Sequence, residues 1–121
     1  MRALISATSL ALTVTVATAG PFDGNYYDRE NGPNEDYCAT TPEGGVAEIK
    51  ANQVFFYETS CQLSNPVNVR GMDAKLYDAE CSGEGPTSEQ RIMLMRPREG
   101  DGIIVLTETY VYDWVNCNSE Q

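Results

Sequence analysis

The chain has 121 residues, of which 18 are Asp or Glu, eight are Lys or Arg and none is His, so its formal net charge is −10 at pH 7. A chain this acidic is repelled by nucleic acid and by anionic lipid surfaces, which argues against both as partners. The absence of His excludes Ser-His-Asp and Cys-His catalysis and His-ligated zinc. The sequence contains no phosphate-binding loop or nucleotide fingerprint, and we predict no cofactor and no metal.

The first 19 residues are typical of a secretory signal peptide. Arg2 supplies a positive charge, residues 3–16 are mainly apolar, and Ala17-Thr18-Ala19 has the small residues of a cleavage site. We therefore predict cleavage after Ala19, a secreted or periplasmic location, a single β domain of residues 20–121, and no membrane insertion after cleavage. A membrane anchor is the alternative, but the apolar run is shorter than the ~20 residues that a spanning helix needs.

All four cysteines, Cys38, Cys61, Cys81 and Cys117, follow the predicted signal peptide. An even number of cysteines in an exported chain predicts two disulfides. A zinc site is disfavoured because no two cysteines have the close spacing of zinc knuckles. If the strands alternate up and down, Cys38 and Cys61 lie at one end of the sheet and Cys81 and Cys117 at the other, which predicts the pairs Cys38–Cys61 and Cys81–Cys117. A break in the run 103–114 would move Cys117 to the first end and reverse this argument.

Turn-forming residues divide the chain into short segments that favour β-strands. The predicted strands are 24–28, 46–50, 54–60, 73–81, 89–96 and 103–114. Segment 73–81 also has helical spacing, but strand is preferred because the segments on both sides are strands. In the loop 62–71, Asn65-Pro66 is expected to interrupt any strand pairing. We predict an all-β fold, a small antiparallel barrel or strongly curved sheet of six to seven strands, with a two-layer sandwich as the alternative.

One cysteine and glycine pattern extends over most of the chain. Its parts are Gly24-Asn25-Tyr26, Cys38, Glu58-Thr59-Ser60-Cys61, Cys81-Ser82-Gly83-Glu84-Gly85 and an aromatic strand that ends in Cys117. It resembles small secreted four-cysteine β proteins of proteobacteria, a group without a characterised activity, which implies a secreted β domain with two disulfides. The chain is also similar to the periplasmic inhibitors of bacterial metalloproteases, which are barrels of about this length. Those inhibitors commonly have one disulfide, and their inhibitory N-terminal segment has no clear counterpart in Gly20-Pro21-Phe22.

Because the chain has no His and its cysteines are predicted to form disulfides, carboxylates are the remaining candidates for catalytic groups. Glu58 and Glu108 fall in the apolar phase of two predicted strands, so they are the candidates for buried acids. A buried Glu would have a raised pKa or a cationic partner such as Arg70 or Arg91, and a carboxylate pair would suit a small hydrolase. Exposure of both residues at strand ends is the preferred interpretation, so we predict no catalytic residues.

Candidate binding residues lie in the acidic loop 28–36 and near the end of the last strand. In the loop, Glu30, Glu35 and Asp36 would attract a basic partner over long range. Tyr112 and Trp114 could supply aromatic anchors, although aromatic residues more often fill a core. We predict a monomeric, non-enzymatic binding domain for a basic envelope or secreted protein. The alternatives are an inhibitor of a secreted protease or envelope enzyme, and a small carboxylate-based hydrolase.

Overall fold

The structure is a computed structural model that describes residues 3–13, 20–31, 38, 47–56 and 58–117. In these parts of the chain, eight antiparallel strands form a closed barrel in sequence order. The strands are β1 (Gly24–Asp28), β2 (Ala47–Lys50), β3 (Gln53–Phe56), β4 (Thr59–Asn68), β5 (Ala74–Gly83), β6 (Gly85–Met95), β7 (Gly102–Leu106) and β8 (Val111–Asn116). Pairing of β1 with β8 closes the barrel. None of the helical structure in the described ranges has the length and apolar character needed to cross a membrane.

The predicted all-β antiparallel barrel with two disulfides is confirmed, with eight strands instead of six to seven. The predicted bounds of the first strand match β1, and the ambiguous segment 73–81 is a strand, β5. Alternation in the predicted strand 89–96 puts Ile92 and Leu94 on one face, and this is correct, because both are buried in the core. Residues 1–2 and 14–19 of the predicted signal peptide lie outside the described residues.

Two predicted strands are wrong because each contains a turn. Segment 54–60 divides into β3 and the start of β4, with Phe56 paired to Thr59 and a φ of 53° at Glu58. Segment 103–114 divides into β7 and β8 around a turn that Thr107 stabilises. The Thr107 Oγ1 atom accepts hydrogen bonds from the backbone N–H groups of Thr109, at 3.2 Å, and Tyr110, at 2.8 Å. This local hydrogen bonding reverses the chain without a glycine or proline.

The predicted interruption of pairing at Asn65-Pro66 is confirmed, but the predicted loop 62–71 is wrong because most of it belongs to β4. Strand β4 continues to Asn68, and its pairing with β5 shifts between Ser64 and Val67, which marks a bulge or irregularity that contains the proline. Asn65 has a φ of 52°, and its Nδ2 group donates a hydrogen bond of 2.9 Å to Asp78 Oδ2 on β5. The irregularity therefore accommodates a residue pair that cannot fit a regular ladder.

The disulfides are Cys61–Cys81 and Cys38–Cys117, so the predicted pairing is wrong. Cys61 lies near the start of β4 and is directly opposite Cys81 in the β4–β5 register, with their Cα atoms 4.0 Å apart. The break at Thr107 sends β8 back across the barrel, and the Cα atom of Cys117 lies 5.6 Å from that of Cys38. Both errors follow from the two turns that the strand pattern conceals.

The N-terminal segment closes one end of the barrel. Phe22 is only 2% exposed and belongs to the core cluster. The Arg96 guanidinium lies over the Phe22 ring, 5.3 Å from its centroid, and donates a hydrogen bond to the carbonyl oxygen of Pro21. The Tyr26 hydroxyl donates a 2.7 Å hydrogen bond to the Phe22 carbonyl oxygen. We call this the closed end; the end that holds the β3–β4, β5–β6 and β7–β8 turns is the open end.

Two buried tyrosines make the barrel sensitive to alkali. Burial raises the pKa of Tyr26 and of Tyr77, and the charge of Asp23 raises both further, although Arg96 lowers that of Tyr26. Because the folded-state pKa values are raised, the stabilisation is complete below the unfolded value of about 10 and is lost as the pH rises through the folded values.

We expect absorbance at 295 nm to show native tyrosines that titrate at higher pH than those of the urea-unfolded protein. The free energy of unfolding should also fall above pH 10, the approximate unfolded pKa. Tyr26→Phe, which removes the hydroxyl group of one of the two tyrosines with raised pKa named above, should narrow the difference between native and unfolded titrations. Identical titration curves for the native and unfolded protein would contradict this prediction.

Candidate binding site

An aromatic groove lies at the open end of the barrel. Phe56, at the end of β3, and Tyr112, on β8, are half-buried, and their ring centroids are 5.9 Å apart. Tyr110, in the turn that Thr107 stabilises, is 61% exposed, and its ring lies 6.0 Å from that of Tyr112. The groove has a volume of about 280 Å³, and the backbone turn around Gly83 forms another part of its wall. It therefore offers an exposed ring above two partly covered ones.

Trp114 supports this groove from inside the barrel. Its side chain is 4% exposed, and its ring lies 5.4 Å from Tyr112, 6.2 Å from Phe56 and 6.3 Å from Tyr26. The prediction of Trp114 as a surface anchor is wrong, because a side chain this deeply buried packs in the core. Tyr112 does line the groove, and its burial, with Tyr110 and Asp28 nearby, raises its pKa. The groove therefore rests on a packed aromatic stack that limits its movement.

Apolar side chains continue from the groove onto the outer surface. Leu106 and Val111 are directly opposite each other on β7 and β8, with 40% and 68% of their surfaces exposed. The same register row continues through Met93, Leu76 and Val67 on the next three strands. The sequence interpretation did not name Tyr110, Leu106 and Val111 as binding residues, because it placed them in one continuous strand, 103–114. The polar Thr107-Glu108-Thr109 interruption was the signal that could have found them.

Negative charge is concentrated at the open end. Among the described residues, seven carboxylates belong to its turns and adjoining strand ends: Asp28, Glu30, Glu58, Glu80, Glu84, Glu89 and Glu108. Glu80 and Glu89 are directly opposite each other across β5 and β6, an arrangement of like charges that destabilises a sheet. Arg29 lies at the same end, but it already forms a 2.9 Å ion pair with Asp113.

The closed end has a nearly balanced charge. Its described acidic residues are Asp23, Asp73, Glu99 and Asp101, and its described basic residues are Lys50, Arg70, Lys75, Arg96 and Arg98. Among the described residues, formal charge is therefore distributed unevenly along the barrel axis, with the negative side around the aromatic groove.

The other predicted site residues divide into three groups. Glu30 is exposed at the open end, and its N–H donates a 2.9 Å hydrogen bond to Asp28 Oδ1, whereas Glu35 and Asp36 lie outside the described residues. Glu58 and Glu108 are exposed in the β3–β4 and β7–β8 turns, so the preferred interpretation is confirmed and the alternative, that they are buried acids, is wrong. Within the described ranges, no group of acidic residues or cysteines has a geometry suited to a metal ion.

Comparison of the chain with protein-family models, with curated proteins and with solved structures found no significant match. The fold and the site define the molecule by architecture: a closed eight-stranded antiparallel barrel with two disulfides and an acidic, aromatic open end. Its function has to be inferred from the chemistry of that end.

Proposed function

We propose that this protein is a secreted or periplasmic, monomeric and non-enzymatic domain that binds a basic protein through its open end. The observation that carries the proposal is Tyr110, an exposed ring that lies 6.0 Å from the Tyr112 ring at the end of the barrel where the described carboxylates are concentrated. The two disulfides are consistent with an oxidising compartment, which supports the proposed location.

The aromatic groove supplies the short-range part of this recognition. Tyr110, Leu106 and Val111 present apolar surface to water, and covering it contributes about 25 cal/mol per Å². Aromatic side chains that bind at low entropic cost are common energetic centres of interfaces. Tyr110 suits this role because Thr107 hydrogen-bonds to its backbone and Tyr112 packs against its ring.

The carboxylates supply the long-range part. A one-sided negative potential increases the rate at which basic partners associate and orients them before contact, an effect that salt reduces. A partner with Lys or Arg side chains would also relieve the repulsion between Glu80 and Glu89. A basic segment with an aromatic or aliphatic side chain therefore matches both properties of the open end.

The two alternatives receive less support. A catalytic acid that works near neutral pH needs an environment that raises its pKa, whereas Glu58 and Glu108 lie in exposed turns. An inhibitor that inserts its N-terminal segment into a protease needs that segment to be free. Here Pro21 is hydrogen-bonded to Arg96, and Phe22 is buried in the barrel.

Selection of random twelve-residue peptides on immobilised protein tests the proposal. We expect the selected peptides to be rich in Arg and Lys and to contain an aromatic or aliphatic residue. Tyr110→Ala should weaken their binding about 30-fold, which corresponds to about 2 kcal/mol for an anchor residue. The matched control is Met72→Ala, which truncates an exposed apolar residue at the closed end. Selection of acidic peptides, or equal effects of the two variants, would contradict the proposal.

Charge reversal tests the electrostatic component separately. The triple variant Glu58→Lys, Glu84→Lys and Glu108→Lys should slow association of the selected peptides about tenfold or more at low salt and little at high salt. The control is Glu99→Lys with Asp101→Lys, which reverses charges at the closed end. If the triple variant associates as fast as the wild type at low salt, the carboxylates do not contribute to recognition, and a basic partner is contradicted.

A further inference from the structure

Gly20 and Asp23 form a hydrogen-bonded turn at the closed end. The Gly20 N–H donates to Asp23 Oδ2 at 2.9 Å, and the Asp23 N–H donates back to the Gly20 carbonyl oxygen at 3.2 Å. The same Oδ2 atom accepts from the N–H of Ala51 in the β2–β3 turn, at 3.5 Å. The Asp23 carboxylate therefore connects the start of the domain to the barrel.

The carboxylate approaches Gly20 so closely that a larger residue there would force it to move. A Cβ atom at Gly20 would lie 2.8 Å from Asp23 Oδ1, which is closer than Cβ atoms come to other groups. The ion pairs found in the described residues are Arg29–Asp113, Arg91–Asp78 and Arg96–Asp73, and none of them includes Asp23. The carboxylate is thus held against a backbone nitrogen while no Lys or Arg in the described residues pairs with it.

We propose that proteolytic removal of residues 1–19 creates the cationic partner of Asp23. Hydrolysis of the peptide bond between Ala19 and Gly20 consumes one water molecule and leaves a carboxylate on Ala19 and an ammonium group on Gly20. The amide N–H that donates to Asp23 is then replaced by a positively charged donor at the same position. The bond from the amide N–H already has a charged acceptor, and the ammonium group adds the Coulomb attraction of an opposite charge at hydrogen-bond distance.

This N-terminal ion pair would hold the segment that closes the barrel. Two residues after Gly20, Phe22 fills the closed end, and between them Pro21 accepts a hydrogen bond from Arg96. Arg96 also lies over the Phe22 ring and 3.7 Å from Asp73, so its charge is engaged beside the new ammonium group. Cleavage before Gly20 therefore stabilises the segment that covers the closed end. This inference does not depend on the binding function proposed for the open end.

A thermodynamic cycle of four proteins tests the proposal. The chain begins either at Gly20 or one residue earlier, at Ala19, and carries either Asp23 or Asp23→Asn. We expect the extra residue to lower the melting temperature by about 4–8 °C when Asp23 is present, and to have little effect in the Asp23→Asn background. An equal shift in both backgrounds, or no shift with Asp23, would overturn the ion pair.

Two further measurements test the N-terminal ion pair without the Asp23→Asn variant. Acetylation of the Gly20 amine removes its charge without changing the sequence, and it should reproduce the loss caused by the extra residue. The intact mass of the protein recovered from the periplasm or medium should correspond to residues 20–121. An unchanged melting temperature after acetylation, or a mature protein that begins at another residue, would contradict the inference.

Discussion

Replacement of Phe22 by alanine is expected to lower the free energy of unfolding by about 3–5 kcal/mol, the usual loss for a buried Phe. The ring is 2% exposed in the core cluster, and the Arg96 guanidinium covers it, so the variant creates a cavity and also leaves a cation above an empty space. Urea denaturation followed by tryptophan fluorescence measures the loss, because Trp114 belongs to the same core.

Phe55→Ala is the matched control for this variant. Phe55 precedes the inward-facing Phe56 on β3, faces the outer surface and is half-buried, so its truncation removes a similar side chain without opening the core. We expect a loss of about 1 kcal/mol, within the common range for point variants outside the core. Equal losses for the two variants would show that Phe22 does not close the barrel in solution.

The second large effect is expected for the Cys38–Cys117 disulfide, in the double variant Cys38→Ala and Cys117→Ala. The bridge joins residues separated by 79 positions, and in the loop-entropy model such a closure contributes about 4.5 kcal/mol. Because the model assigns this contribution to the denatured state, removal should increase the m-value as well as lower the free energy of unfolding. Urea denaturation of the oxidised wild type and the variant measures both quantities.

The other bridge provides the comparison. Cys61–Cys81 spans a separation of 20, for which the loop contribution is about 3 kcal/mol, although the burial of both cysteines adds a packing loss. The increase in m-value should therefore be smaller for Cys61→Ala with Cys81→Ala. Non-reducing peptide mapping checks the pairing itself, and a peptide that joins Cys38 to Cys61 would contradict the structure.

Strand composition predicts the class of fold because it depends on local features. The bounds of β1 and the alternation of Ile92 and Leu94 in β6 follow from turn residues on either side and from a period of two. A series of short strands with polar connections then favours a barrel. The period of two and the series of short strands do not depend on where each strand ends. The predicted architecture is therefore correct although the strand count differs.

The errors in the site have one physical origin. In the two-residue turn after Phe56, the inward phase changes from even to odd positions, so Glu58 leaves the apolar phase that it shares with Val54. A continuous strand 103–114 would extend the inward even positions of β8 back to Leu106 and Glu108, whereas the inward positions of β7 are odd, Ile103 and Val105. Neither turn contains glycine or proline, and the hydrogen bonds that define the second become identifiable only in three dimensions. Glu58 and Glu108 became candidates for buried acids, and the wrong disulfides were predicted, because two strands were treated as continuous.

Charge polarisation was also beyond prediction from the sequence. Glu80 and Glu89 are nine positions apart, and only the β5–β6 register places them opposite each other. The composition shows an acidic protein, whereas the barrel separates an acidic end from a balanced one. The exposure of Tyr110 could not be predicted from the sequence either, because it depends on the turn that ends β7.

The pairing of β1 with β8 has a consequence for biosynthesis. These are the strands farthest apart in the chain, so a polypeptide made from its N-terminus exposes the free edge of β1 until β8 has been synthesised. Unpaired edges are templates for aggregation, and contacts between distant residues form slowly. The completed barrel has no such edge, and Cys117, one residue after β8, carries the longer disulfide. Aggregation of this protein is therefore most probable before β8 has been synthesised. A chaperone that covers the edge of β1 would have its largest effect during that time.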